Sequence, residues 1–156
     1  MALGVGLAHA ARPLLGLSPL RSVYNWDEIA RRASALRSPL PEGSFYLGVG
    51  RRYLCAAQLA FHLNDPDRVH AKNLLGEDGL QFTYWADSRT LRGKDAVVVA
   101  EADWSPRLPE LLKERFRQVE EVPEPVVILR PEHPRGLKEE RYHFYIGHGY
   151  RPLPTP

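Results

Sequence analysis

Cysteine occurs once in the 156 residues, at Cys55. That excludes a disulfide within the chain and any zinc site built on several thiolates. Charge of one sign is scarce too. Lys and Arg number 21 against 19 Asp and Glu, a formal net charge of +2, far from the basic excess of a dedicated nucleic-acid binder, so no nucleic-acid partner is expected. Long apolar runs are missing. The most apolar stretch, Ala2 to Leu20, is broken by His9, Arg12, Pro13 and Pro19 and falls short of the ~20 apolar residues that span a bilayer as a helix. No Lys or Arg precedes its apolar run, and Ala8-His9-Ala10 is only a faint echo of a leader cleavage site. Acidic residues are absent before Asp27. This lead-in, residues 1–23, reads in one of two ways. It is a loose tail, or it is the remnant of a membrane helix end and linker, with residues 2–20 touching a membrane peripherally.

What is present suits one folded domain. Charged residues make up 26% and hydrophobic residues 44% of the chain, ordinary values for a domain with a single core. With 12 Gly and 14 Pro, low-complexity disorder is excluded. No internal repeat is visible. The domain is expected over residues 24–151, ahead of a Pro-rich tail at 152–156.

Asn25 suits an N-cap, and Asp27 and Glu28 fall in the first turn where the helix dipole favours negative charge. Trp26, Ile29, Ala30, Ala33 and Leu36 then recur at helical spacing. Ser38-Pro39-Leu40-Pro41 ends that helix, because proline disfavours the helical conformation in the residue before it. Ser44 to Val49 reads as a strand, Tyr53 to Leu63 as a helix with Leu54, Ala57 and Phe61 inward, and Arg68 to Ala71 as a second strand. Such a strand–helix–strand unit implies parallel neighbours. Gln81 to Trp85 fits either an edge strand or a packed loop. The β-branched run within Asp95–Ala100 marks a strand buried on both faces. A helix follows from about Pro106, with Leu108, Leu111, Leu112 and Phe116 inward, then strands over 117–122 and 126–130, separated by Pro123-Glu124-Pro125, and a last strand over 141–146. The fold expected is α/β: a three-layer sandwich with a mostly parallel central sheet and an antiparallel C-terminal hairpin.

Gly48-Val49-Gly50-Arg51-Arg52-Tyr53 lies between a strand and a helix, where a dinucleotide-binding loop would lie. Tyr53 occupies the place of the third glycine, whose smallness allows close helix packing. Two readings remain for Arg51, Arg52 and Tyr53. They form an anion site at a helix N-terminus, or the segment is a structural turn with solvated arginines. Tyr84 and Trp85, with Trp104, would stack on a sugar or a partner, or fill space beside the sheet. His133, His143 and His148 invite a metal reading, but no His-Glu-x-x-His spacing accompanies them and no metal is expected. Cys55 reads as a buried, inert thiol, since His62 is two turns away along the same helix. No catalytic residue is legible.

Several motifs taken in order carry a resemblance. They are Tyr24-Asn25-Trp26-Asp27-Glu28, then Arg52-Tyr53 with Gln58-Leu59-Ala60-Phe61-His62-Leu63, then Gln81-Phe82-Thr83-Tyr84-Trp85. Leu91-Arg92-Gly93-Lys94-Asp95-Ala96-Val97-Val98-Val99 and Phe144-Tyr145-Ile146-Gly147-His148-Gly149-Tyr150 follow. From about Leu14 to Arg151 the chain resembles the soluble C-terminal domain of bacterial multi-spanning glycosyltransferases. These are the enzymes related to dolichyl-phosphate-mannose–protein mannosyltransferase and to the aminoarabinose transferase of lipid A. The resemblance implies transfer of a polyprenyl-phosphate-linked sugar to a lipid or protein acceptor. It also implies an acidic base in an early loop between membrane helices, a region with no counterpart here. The expectation is therefore a non-catalytic domain of, or accessory to, such a transferase, at the extracytoplasmic face of the cell membrane. It would recognise the acceptor or contact the membrane core, with no cofactor. The alternative is a small stand-alone α/β enzyme, or a nucleotide- or sugar-phosphate-binding protein, using the Gly48–Tyr53 loop in the cytoplasm.

Overall fold

The computed structural model describes residues 26–78, 81–85, 87–104, 107–132, 134 and 136–154, with the side chains of Trp85 and residues 130–132 left aside. The lead-in over 1–23, the Asn25 cap, Pro106 and His133 lie outside the described residues.

Five strands form one sheet in the order β2-β1-β3-β5-β4. They are β1 (Phe45–Val49), β2 (Val69–Ala71), β3 (Ala96–Glu101), β4 (Gln118–Glu132) and β5 (Gly136–His148). β1 pairs in parallel with β2 and with β3, while β3 with β5 and β5 with β4 are antiparallel. The sheet is thus mixed. Parallel strands and a C-terminal hairpin both occur, but the last strand enters beside β3 and makes half of the pairings antiparallel. The helices are α1 (Trp26–Arg37), α2 (Leu54–Leu63), α3 (Phe82–Trp85) and α4 (Leu108–Arg115). Short 3-10 turns run over Pro66–Arg68, Lys72–Leu75 and Ser88–Leu91.

Alternation along β3 sends side chains to two apolar clusters. Val97 and Val99 join Trp26, Ile29 and Ala33 of α1 and Cys55, Ala56 and Leu59 of α2. Ala96, Val98 and Ala100 join Leu108 and Leu112 of α4, Phe116, Leu74, Leu75 and Tyr150. Both faces of β3 are therefore buried, as its β-branched run requires. Trp26 meets the edge of Tyr142 with ring centroids 5.0 Å apart, which fixes α1 against β5. At the other face Phe45, Phe116 and Tyr150 form an aromatic group, and the Tyr150 hydroxyl donates to the carbonyl of Leu74 at 2.8 Å.

Four expectations need correction. The inward face of α2 is Cys55, Ala56 and Leu59, whereas Leu54 and Phe61 point out, 38% and 74% exposed. Gln81–Trp85 is neither an edge strand nor a packed loop, for residues 82–85 form the short helix α3. The two strands around Pro123-Glu124-Pro125 are one strand, β4, whose register shifts between Val122 and Val126. A bulge absorbs the prolines, with Glu124 at φ 67°. β5 begins five residues earlier than its alternation suggests, at Gly136, because the polar stretch Lys138–Arg141 pairs with the outer half of β4.

Candidate functional site

β1 and β3 end side by side, Val49 opposite Ala100. From β1 the chain passes into α2, on the same face as α1; from β3 it passes into α4, on the other face. In open α/β sheets the crevice at such a divergence, beyond the carboxyl ends of the strands, is where ligands bind. Here the crevice is a cleft of about 280 Å³ lined by Arg51, Arg52, Glu101, Asp103, Trp104 and Lys138. Lys138 reaches it because β5 runs antiparallel to β3. The last residue of β3, Glu101, pairs with Tyr142, so the start of β5 projects past the end of β3.

The glycines of the loop serve packing. A Cβ on Gly48 would stand 2.5 Å from the amide nitrogen and 2.6 Å from the Cα of Ala56, so α2 rests directly on β1. A Cβ on Gly50 would meet Cys55 Cβ and Glu101 Oε2, each at 3.1 Å. Glu101 lies close because its Oε2 accepts a hydrogen bond from the Arg51 amide at 3.1 Å. The chain's own carboxylate thus occupies an amide that a bound anion would otherwise use. Arg52 follows at φ 54°, a left-handed conformation that costs a non-glycine residue energy and concentrates at functional turns. Both arginines are exposed, and no ion pair engages their guanidinium groups among the described residues. Trp104 is half-buried on the opposite wall, with Lys72 Nζ 5.4 Å from its ring centroid.

A second cavity, of about 400 Å³, has Tyr53, the residue after Arg52, in its lining. It runs along α2 as a groove lined by Tyr53, Ala57 and Ala60, by Val69 and His70 of β2, and by Gln81 and Phe82. Its lining is mainly apolar. Burial, helped by the nearby charge of Lys94, holds the His70 imidazole down at about 4. It is neutral near pH 7, with its ring edge against Phe45.

The structure therefore divides the sequence-predicted residues. Arg51 and Arg52 line the cleft, while Tyr53, 44% exposed, lines the groove. Tyr84 on α3 is 88% exposed and lines neither cavity; the side chain of Trp85 lies outside the described residues. Sequence reasoning missed Glu101, Asp103 and Lys138. The signal for Glu101 was its place, the first acid after a fully buried strand and so at a carboxyl end.

The remaining reactive groups are held elsewhere. The Cys55 thiol donates to the carbonyl of Val99 at 3.4 Å, and burial pushes its pKa far up, with the Glu101 charge adding to the effect. His148 Nδ1 meets Asp95 Oδ2 at 2.9 Å and its Nε2 meets Glu120 at 3.4 Å, while the Gly149 amide donates to Asp95 Oδ1. That cluster ties the end of β5 to the start of β3, at the end of these strands opposite the cleft. His143 faces Glu121 at 4.0 Å. Among the described residues no group of three His, Cys, Asp or Glu side chains is placed to hold a metal ion, and no helix is long and apolar enough to cross a membrane. No family model, curated protein or solved structure matches this chain.

Proposed function

We propose that this domain is a non-catalytic recognition module for a polyprenyl-phosphate-linked sugar, belonging to or assisting a membrane glycosyltransferase at the extracytoplasmic face. One observation carries the reading: consecutive residues line the two cavities, Arg51 and Arg52 a charged cleft and Tyr53 a mainly apolar groove. A lipid-linked sugar phosphate has the same division, an apolar chain joined to a charged head. Arginine suits the phosphate, because its planar fork gives paired charge-assisted hydrogen bonds. Ala57, Ala60, Val69 and Phe82 suit the isoprene nearest the phosphate, while the long tail stays in the bilayer. The motifs behind the family resemblance support the same reading, since Tyr53 and Gln81-Phe82, distant in sequence, line one groove. The domain itself is best read as a three-layer sandwich, with α1 and α2 on one side of the sheet and α4 on the other.

A nucleotide or sugar-phosphate reading draws on the same switch point. Glu101 at the Arg51 amide and Tyr53 in place of a third glycine both weigh against a pyrophosphate cradle there.

Titration of the isotope-labelled chain with geranyl phosphate, followed by amide NMR, tests the proposal. Shifts are expected at Arg51, Arg52, Tyr53, Ala57 and Phe82. The Arg51→Ala/Arg52→Ala double variant should weaken binding about tenfold or more, the scale of two charge-assisted contacts. Shifts elsewhere, tight nucleotide binding that needs both arginines, or turnover of a polyprenyl-phosphate-sugar donor by this chain alone would each overturn it.

A further inference from the structure

Helix α2, Leu54-Cys55-Ala56-Ala57-Gln58-Leu59-Ala60-Phe61-His62-Leu63, holds no acidic or basic residue other than His62. Its inward residues, Cys55, Ala56 and Leu59, are covered by the sheet and α1. Its outward line of Leu54, Ala57 and Phe61 is apolar as well. A helix with apolar residues on both its inner and outer faces belongs where both are covered, yet Phe61 stands open.

Three placements indicate what covers it. Asp27 Oδ1 and His62 Nδ1 are 2.7 Å apart, which fastens the first turn of α1 to the last turn of α2. The start of α1, which 25 residues with the acid-free stretch Ala2–Leu20 precede in the sequence, therefore stands at the last turn of α2. At the other end of α2, Arg51 and Arg52 are exposed. Between them, Tyr53 belongs both to the outward rim and to the groove, and Asp65 at the far end is neutralised by Arg68 at 3.3 Å. Leucine and phenylalanine on the apolar line, tyrosine at its margin and arginines beyond it match the order of chemistry met from acyl chains to headgroup phosphates.

We propose that the outward face of α2 lies on an anionic lipid surface, with Leu54 and Phe61 among the upper acyl chains and Arg51 and Arg52 at the phosphates. This rests on the reading of the groove as a lipid-phosphate site and supplies its orientation, because Tyr53 and Ala57 are shared by the groove and the buried face. The domain meets the bilayer from the side.

Cosedimentation of the full chain with phosphatidylcholine vesicles, with and without phosphatidylglycerol, tests this. Binding is expected to require phosphatidylglycerol, to weaken with salt, and to fall about tenfold or more in the Leu54→Asp/Phe61→Asp double variant. Both side chains are exposed and line neither cavity, so the variant should keep its fold and its response to geranyl phosphate. Unchanged vesicle binding in the variant, showing that the upstream stretch acts alone, would overturn the proposal. So would absence of vesicle binding together with a dimer that the variant dissolves, which would make this face an interface between two copies. Vesicle binding without any response to geranyl phosphate would leave the membrane-facing surface standing and remove the recognition function.

Discussion

The amide of Arg51 donates to the carboxylate of Glu101 across 3.1 Å, joining the loop after β1 to the last residue of β3. The bond fixes the loop that presents both arginines, and it puts a negative charge where an anion would settle. Glu101→Gln keeps an acceptor oxygen for the amide and removes the charge. Affinity for inorganic pyrophosphate should rise about threefold to tenfold at low salt, the scale of one charge removed in a partly screened cleft. Amide NMR titration of both proteins reads it; equal affinities would show that Glu101 does not compete.

Gly48 lets α2 lie on β1, and the atoms that a Cβ would meet are backbone atoms of Ala56. These have no rotamer through which to yield. Gly48→Ala should lower stability by about 1–3 kcal/mol, the usual cost of overpacking a tight interior. Urea unfolding with an unchanged slope would measure it, and a shift below a few tenths would contradict the close approach.

His70 is buried, and burial holds its pKa in the fold at about 4, below the ordinary value of 6.5. Below pH 6.5 the unfolded chain takes up the proton before the native one does. The contribution of this group is therefore complete above pH 6.5 and shrinks as pH falls toward 4. The total is on the order of 3 kcal/mol. In His70→Gln the loss of stability between pH 7 and pH 4 should be smaller by that order. Parallel curves for the two proteins would show that the imidazole titrates normally in the fold.

The Cys55 thiol is buried and its pKa is driven up, so thiolate is scarce in the native protein. Reaction with an aromatic disulfide at pH 8 should be at least about a hundredfold slower than in the urea-unfolded chain, limited by opening of the fold. Comparable rates would mean that α2 detaches readily from β1.

How much of this was written in the sequence differs from element to element. β1 and β3 were legible because strands covered on both faces read as unbroken apolar runs. α1 was legible because its charged residues leave one stripe. α2 was legible as a helix, but its orientation was not. Leu54, Ala57 and Phe61 make as good a stripe as Cys55, Ala56 and Leu59, and only the sheet's need for small residues beside Gly48 chooses between them. Pro123 and Pro125 hid the continuity of β4, since an edge strand tolerates prolines at a bulge where a central one does not. Of the site, Arg51 and Arg52 could be found from their place after a glycine-rich strand end. Asp103 and Lys138 could not, because they come to the cleft from separate segments that only the topology brings together.

The strand made last, β5, lies inside the sheet, between β3 and β4. Tyr150, beyond it, exchanges backbone hydrogen bonds with the Gly93–Lys94 turn and reaches Leu74 through its hydroxyl. During synthesis, then, β1, β2 and β3 emerge before their cover, and one side of β3 stays unpaired until β5 has been made. Loss of β5 should yield a chain that chaperones and proteases treat as unfinished, not a slightly weakened domain.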